Sequence, residues 1–386
     1  MMGTYGSSPE EVVMGSYVAT RRRFFQSLGA AAVLARAGVA AGAKAKTAGA
    51  AEPARLNGNE SPYGPFPSAV RAMAKAVERG NYYVFSESQP LRQKLAEMNG
   101  VQPANILLGV GSSEPLRTAT EQFSSAAHPP VVAEPTFEAV AETAQIDHIA
   151  ALKVPLTPRG VHDVERMMDA ARKNSCGLFY LCNPNNPTGT IVPQEQVAWV
   201  VEKLPSDMVL LCDEAYRDFV DDPRYGSAVR YVQEGRNVIV LRTFSKIYGL
   251  AGMRLGYAIG PPRLVEKMRP LMLDELLALN QAVVAGAKAA LEDKAAYDRV
   301  RTENAKVRRF VTDGIREMGY DVFDSQANCI MTELKRPIGP VGEKLAARGF
   351  LVGRLFPSLP THQRITMGTM ADMQRFLPVM REVLQG

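Results

Sequence analysis

Lys246 has more potential chemistry around it than any other residue in the chain. It lies in Arg242-Thr243-Phe244-Ser245-Lys246-Ile247-Tyr248-Gly249-Leu250-Ala251-Gly252-Met253-Arg254, directly after the apolar run Val238-Ile239-Val240-Leu241. Two hydroxyls and an arginine eight residues on suit an amine held beside a phosphate, the profile of a lysine that carries an aldehyde cofactor. A solvated loop charge is the plainer reading of the same segment. A second stretch, Val209-Leu210-Leu211-Cys212-Asp213-Glu214-Ala215-Tyr216, is an apolar run with little alternation that ends in two acids and a phenol. It reads as a parallel strand buried on both faces, and open α/β sheets place ligands at the carboxyl ends of such strands. A charge at Asp213 costs free energy there unless a cation pairs with it. A pyridinium nitrogen would be such a cation, and the pair would keep the ring protonated as an electron sink; a helix N-cap or a metal ligand is the alternative. A third stretch, Phe179-Tyr180-Leu181-Cys182-Asn183-Pro184-Asn185-Asn186-Pro187-Thr188-Gly189, is another buried-strand pattern that stops in turn formers. Pro fixes φ and removes a donor, while Asn and Gly tolerate positive φ. The loop either projects an amide at a strand end or is an ordinary turn.

In this order and spacing, the three segments resemble the pyridoxal 5'-phosphate-dependent aminotransferases of fold type I, and within them the histidinol-phosphate aminotransferase-like branch of class I and II. The likeness runs from about Leu56 to near the C-terminus. It includes Leu56-Asn57-Gly58-Asn59-Glu60-Ser61-Pro62-Tyr63-Gly64-Pro65, near that branch's Asn-Glu-Asn-Pro-Tyr-Gly-Pro opening. The resemblance implies that Lys246 bonds the cofactor's aldehyde and later moves a proton at the substrate's Cα, a neighbouring cation and partial burial lowering its pKa toward neutrality. It also implies that Asp213 pairs with the pyridine nitrogen and that Tyr216 and Asn186 hydrogen-bond the cofactor's 3'-oxygen. Phe137, in Glu134-Pro135-Thr136-Phe137, would stack on the ring; without the resemblance it reads as a core phenylalanine.

The phosphate needs its own cradle. Leu107-Leu108-Gly109-Val110-Gly111-Ser112-Ser113-Glu114 is a strand end, a glycine turn and a helix start, which together offer free backbone N–H groups to an anion. Ser112 and Ser113 would donate to it, with Thr243, Ser245 and Arg254 closing the other side, although helix capping is the usual work of such serines. By the same resemblance, Tyr83 would reach the phosphate of the neighbouring subunit and the enzyme would be a homodimer. Arg364, in Gln363-Arg364-Ile365-Thr366-Met367-Gly368-Thr369, would grip the substrate's carboxylate with two parallel hydrogen bonds. Tyr63 would line the same substrate pocket. Arg354 is either a second anion binder, for a carboxylate or phosphate, or a surface arginine.

Several details depart from the histidinol-phosphate branch. The interval from Arg354 to Arg364 is a few residues short, and Gly353 separates Val352 from Arg354. Arg269-Pro270-Leu271-Met272-Leu273-Asp274-Glu275 lacks the branch's Pro-aromatic-Asn run. Phe137 stands for a frequent tyrosine, and Val84-Phe85-Ser86 follows Tyr83 in place of a Pro-Asp-Pro-like continuation. These differences surround the substrate rather than the cofactor.

The first fifty residues are of another kind. Thr20-Arg21-Arg22-Arg23-Phe24-Phe25-Gln26 precedes an Ala-rich, mildly apolar stretch from Ser27 to Ala43, followed by small residues suited to cleavage. This resembles a twin-arginine export signal, which implies a periplasmic or exported protein, or a cytoplasmic one if the signal is not used. A disordered basic tail is the alternative. A membrane span is not expected, since the stretch is short and interrupted by Arg36. Residues 1–51 carry six Lys or Arg against two acids, +4 of the whole chain's +5. The rest is nearly neutral and lacks the basic surface that nucleic-acid binding requires. The four cysteines read as small buried hydrophobes, and neither they nor the scattered histidines have metal-ligand spacing.

The elements that must position these groups follow the same logic. Strand-like runs alternate with helical ones between about residues 88 and 272, which predicts an α/β domain with a mostly parallel sheet, seven-stranded in type, flanked by helices. Residues 273–386, with strand candidates near Cys329-Ile330-Met331-Thr332 and Arg364-Ile365-Thr366-Met367, predict a smaller α+β domain joined by an arm from 52–87; residues 1–51 form the signal and linker. About 335 residues without the signal suffice for two such cores. The expected function is pyridoxal-phosphate-dependent amino transfer between an L-amino acid or amino-alcohol phosphate, histidinol-phosphate-like or aromatic, and the keto acid 2-oxoglutarate. A lyase or decarboxylase on the same fold is the alternative, because Lys246 and Asp213 serve whichever Cα bond breaks. An exported, non-catalytic amino-acid binding protein is the third.

Overall fold

Buried strands alternate their side chains between two faces, so a run that is apolar at every position calls for packing on both sides. The computed structural model, which describes residues 52–386, shows how the chain meets that demand. The export-signal segment lies outside the described residues. In chain order the strands are Ala54–Leu56 (β1), Ile106–Gly109 (β2), Pro130–Glu134 (β3), Leu152–Pro155 (β4), Leu178–Cys182 (β5), Val209–Asp213 (β6), Val238–Thr243 (β7), Gly256–Ile259 (β8), Asp321–Val322 (β9), Cys329–Glu333 (β10), Phe350–Val352 (β11) and His362–Thr366 (β12).

Seven of them form one sheet in the order β2-β8-β7-β6-β5-β3-β4. Its internal pairings are parallel except that β8 runs antiparallel to both β7 and β2. Phe179, Leu181, Leu210, Cys212, Val238 and Val240 face one layer of helices. Leu178, Tyr180, Leu211, Ile239 and Leu241 face the other. This is the period-two split that the unbroken apolar runs require. Each fully buried Leu or Phe contributes about 1.5–3 kcal/mol relative to exposure, which makes the sheet a stiff platform for the loops at its carboxyl edge. The edge strand β4 is the wetter one, with Leu152, Lys153 and Pro155 reaching solvent.

A second core gathers around the long helix Lys294–Glu317 and the terminal helix Met370–Gln385, with Val307, Val311, Ile330, Ile365 and Phe376 at its centre. It carries the three-stranded sheet β12-β10-β9 and the pair β1-β11. The strand candidates near Cys329 and Arg364 are thus β10 and β12, paired antiparallel with Met331 opposite Arg364. The core of the large sheet extends beyond residue 272, because Val283, Val284 and Ala287 of the helix Gln281–Glu292 pack into it. That helix lies close to Pro67–Val77, and the missing side chain of Gly286 leaves room for Met73. Residues 53–386 form one compact unit. No helix among the described residues is long and apolar enough to cross a membrane.

Candidate active site

The chain leaves β6 at Asp213, β7 at Thr243, β5 at Cys182 and β3 at Glu134, so the loops that follow share the carboxyl edge of the parallel strands. Lys246 stands in the turn that reverses β7 into β8, where Thr243 pairs with Gly256. Its amine donates to the Asn59 carbonyl at 3.1 Å and lies 5.3 Å from the centre of the Tyr216 ring. Loss of water, with the Arg364 charge adding to it, holds the Lys246 pKa down at about 8. A substantial fraction of the amine is therefore neutral near physiological pH, the state a nucleophile or general base requires.

Asp213 is buried on the same sheet face as Tyr180 and accepts from the Tyr180 hydroxyl at 3.2 Å and the Ala215 amide at 3.0 Å. These two neutral donors do not offset its burial, which pushes the pKa up to about 6. No Lys or Arg comes within ion-pair distance of it among the described residues. A buried carboxyl without a cation suits a ligand that brings one, such as a pyridinium nitrogen.

Asn59 ties the catalytic end together and was visible in the sequence only as part of a motif. With its backbone at φ +50°, it accepts from Lys246 and from the Asn328 amide, donates through Nδ2 to the Tyr216 hydroxyl at 3.1 Å, and exchanges hydrogen bonds with Thr366. Asn tolerates positive φ better than most residues, the one local signal that could have singled it out. Tyr180, read as part of a core strand, is the other residue that the sequence did not assign to the site.

Arg364 leaves β12 to reach Asn186 Oδ1 at 2.7 Å and the Asn57 carbonyl at 2.5 Å, while its buried Nε has no partner. Both partners are neutral, so its positive charge is left for an anion. Tyr63 packs, partly buried, against the cluster that holds Tyr216 and Ile247, and burial lifts its pKa to about 12, so it remains a phenol donor. Phe137 packs, partly buried, against one face of the sheet.

On the phosphate side, Ser112 caps the helix Ser113–Phe123 without spending its side chain on the helix. The surrounding backbone is drawn in tightly: a Cβ at Gly111 would run into the Arg254 guanidinium, and one at Gly256 into the Ser112 backbone nitrogen. Arg254 holds φ +60° and donates to the Ala251 carbonyl, which anchors it at this turn. Thr243 and Ser245 are buried and linked at 2.9 Å. A helix start, free hydroxyls and a guanidinium together fit a phosphate monoester.

Two expected site residues stand apart. Tyr83 is 62% exposed, touches Phe85, and uses only its carbonyl to accept from Gln281, so within one chain it does not join the site. Arg354 is exposed and paired with Glu138, and meets the site residue Arg364 only across the ring of Phe356. A groove of about 850 Å³ between Leu156–Gly160 and Asp321–Asp324 is lined by none of the candidate cofactor residues. The four cysteines are buried and unbridged, and the described residues contain no group of His, Cys, Asp and Glu arranged to hold a metal.

The family model for aminotransferase class I and II matches residues 52–379. The chain is 34% identical to a histidinol-phosphate aminotransferase of Moorella thermoacetica, over 86% of this chain and 85% of that one. It is 35% identical to one of Brevibacillus brevis, over 88% and 92%. Among solved structures, it is similar to a histidinol-phosphate aminotransferase of Sinorhizobium meliloti in complex with pyridoxal-5'-phosphate. The TM-score is 0.80 with 27% identity, covering 87% of this chain and 92% of that one. A partly buried lysine of lowered pKa, a buried acid lacking its cation and a glycine-tight phosphate cradle therefore meet in a chain that belongs to the class I and II aminotransferases.

Proposed function

We propose that this aminotransferase moves an amino group from an L-amino acid or amino-alcohol phosphate to 2-oxoglutarate with pyridoxal 5'-phosphate as cofactor. Bound there, the cofactor supplies an aldehyde and an electron-withdrawing ring that spreads the electron pair left at Cα. The observation that carries the reading is the Lys246 amine, its pKa lowered by burial so that a substantial fraction is neutral near physiological pH, held between Asn59 and Tyr216.

The residues divide the work. Asp213 holds a positive ring nitrogen in place, and Tyr216 and Asn186 donate toward the ring's oxygen. Ser112, Ser113, Thr243, Ser245 and Arg254 fix the phosphate, and Phe137 covers the ring. Arg364, whose hydrogen-bond partners are neutral, binds the substrate's anion and so sets Cα within reach of Lys246, which takes the proton from Cα and would return it to the carbon two atoms away, across the shared nitrogen. Breaking the Cα–H bond and delivering the proton away from Cα separates amino transfer from decarboxylation, in which the Cα–carboxylate bond breaks, and from elimination, which releases ammonia.

Tyr83 acts in a neighbouring active site of a homodimer, a reading supported by the exposure of Tyr82, Tyr83 and Phe85, the last two in ring contact. Residues 20–43 direct export by the twin-arginine route; replacing Arg22 and Arg23 with Lys should retain the protein in the cytoplasm. To test the reaction, the cofactor-loaded enzyme is supplied with 2-oxoglutarate and single donors, histidinol phosphate and aromatic amino acids first. Glutamate formed in step with one donor's oxidised product supports the proposal, whereas free ammonia or carbon dioxide in its place refutes it.

A further inference from the structure

The two arginines of the β11–β12 segment are not in the same electrical state. Arg364 spends its N–H groups on neutral oxygens and keeps a buried Nε free. Arg354 directs one terminal nitrogen at both oxygens of Glu138, 2.5 Å from each. Phe356 joins the pair: the Arg354 guanidinium lies 4.4 Å from its ring centre and that of Arg364 5.6 Å. Glu138 directly follows Phe137, so the acid that meets Arg354 stands next to the ring read as the cofactor's cover. Glu142, one helical turn on, adds a second carboxyl near the same guanidinium. Two acids and one guanidinium thus lie on one side of Phe356, and the guanidinium of Arg364, with no acid partner, reaches the same ring.

We propose that Glu138 is a specificity-determining residue: by occupying Arg354 it leaves Arg364 as the one guanidinium open to the substrate, so the site takes the single charge of an α-carboxylate in preference to a phosphate ester. The inference rests on the aminotransferase reading for its substrates and on the Glu138–Arg354 contact for its direction. A phosphate monoester carries close to two negative charges at neutral pH. To recruit Arg354 it must displace Glu138 and approach Glu142, whereas a carboxylate is satisfied by Arg364 alone. The pair is solvent-exposed and holds weakly, so the effect is a preference of about three- to tenfold rather than exclusion.

The experiment compares kcat/KM for histidinol phosphate and L-phenylalanine, and calorimetric binding of inorganic phosphate to the cofactor-loaded enzyme. It uses the wild type, Glu138→Gln, and Glu138→Gln combined with Arg354→Gln. The expected result is a three- to tenfold rise in the phosphate-ester to amino-acid ratio in Glu138→Gln, a matching gain in phosphate affinity, and loss of both gains in the double variant. A ratio and a phosphate affinity unmoved by Glu138→Gln would overturn the proposal. If the wild type transfers no amino group from any donor, the functional reading fails, while the phosphate affinities still decide the role of Glu138.

Discussion

Asp213 and Glu214 are adjacent, equally buried and oppositely served. Glu214 accepts from Arg242 at 2.9 and 3.1 Å, from the Ser227 hydroxyl at 2.9 Å and from the Ala228 amide at 2.7 Å. Arg242 in turn reaches Asn99 at 2.5 Å, closing a network that ties β7 to the loops behind it. Asp213, pointing to the other face, has a phenol and one amide and no cation. A buried ion pair with its hydrogen bonds complete serves folding; a buried acid left half-served costs stability and is kept for a ligand. The alternation of a strand therefore separates a structural group from a functional one within two residues.

The largest expected effect lies on the functional face. Lys246→Ala should lower amino transfer by roughly 10⁴-fold or more, since it removes both the attachment point and the base. The cofactor-free protein should melt no earlier than the wild type, because a buried amine is gone. Turnover and thermal melting, measured together, check this, and a large fall in melting temperature would make Lys246 a structural residue like Arg242.

Arg242→Met should do the reverse. It strands Glu214, and the urea midpoint should fall by an amount equal to about 3–5 kcal/mol, while the folded fraction still takes up cofactor. A loss below about 1 kcal/mol, the size of an exposed pair, would erase the distinction between the two acids. Asp213→Asn should lower turnover by about 10²–10³-fold, the cost of removing one preorganised electrostatic partner. Its cofactor-free form should be at least as stable as wild type in denaturant titration at pH 7.

The smallest effects are those of pH. The folded pKa of Asp213 in the cofactor-free protein, about 6, lies above its ordinary value of 3.8. Its contribution to stability is therefore fully present below that ordinary value and is lost as pH rises through about 6. For Lys246 the folded value of about 8 lies below the ordinary 10.5, so the unfolded chain binds the extra proton in that window and stability rises with pH there. Melting curves of Asp213→Asn should lose the downward slope between about 4 and 6. Cofactor capture by the wild type should climb through about pH 8, following the free amine; a capture rate flat from pH 6.5 to 9 would contradict the lowered Lys246 pKa.

Legibility in the sequence followed the range of each interaction. The parallel strands could be read because both-face burial leaves an unbroken apolar run, and the loops after them because Pro, Asn and Gly punctuate the chain. Lys246, Asp213, Tyr216 and Asn186 were picked out by type and by place at strand ends, Arg364 only by resemblance to a family segment, and the roles of all five came from that resemblance rather than from spacing. Asn59 and Tyr180 escaped because their work is done across 187 and 33 residues of chain. The Glu138–Arg354 contact spans 216 residues and had no local mark at all. That the helix Gln281–Glu292 belongs with the large sheet escaped for a similar reason: an Ala-rich helix looks the same whichever core it joins, and the space over Gly286 for Met73 is a tertiary fact.

The most direct test of the account is a single half-reaction. Cofactor-loaded protein, with no acceptor present, is titrated with one amino donor while the cofactor's visible absorbance and the released product are followed. The band should disappear as one keto product is released per Lys246, and 2-oxoglutarate alone should restore it, with Lys246→Ala showing neither change. Release of ammonia or carbon dioxide, or a band that no donor alters, would contradict it.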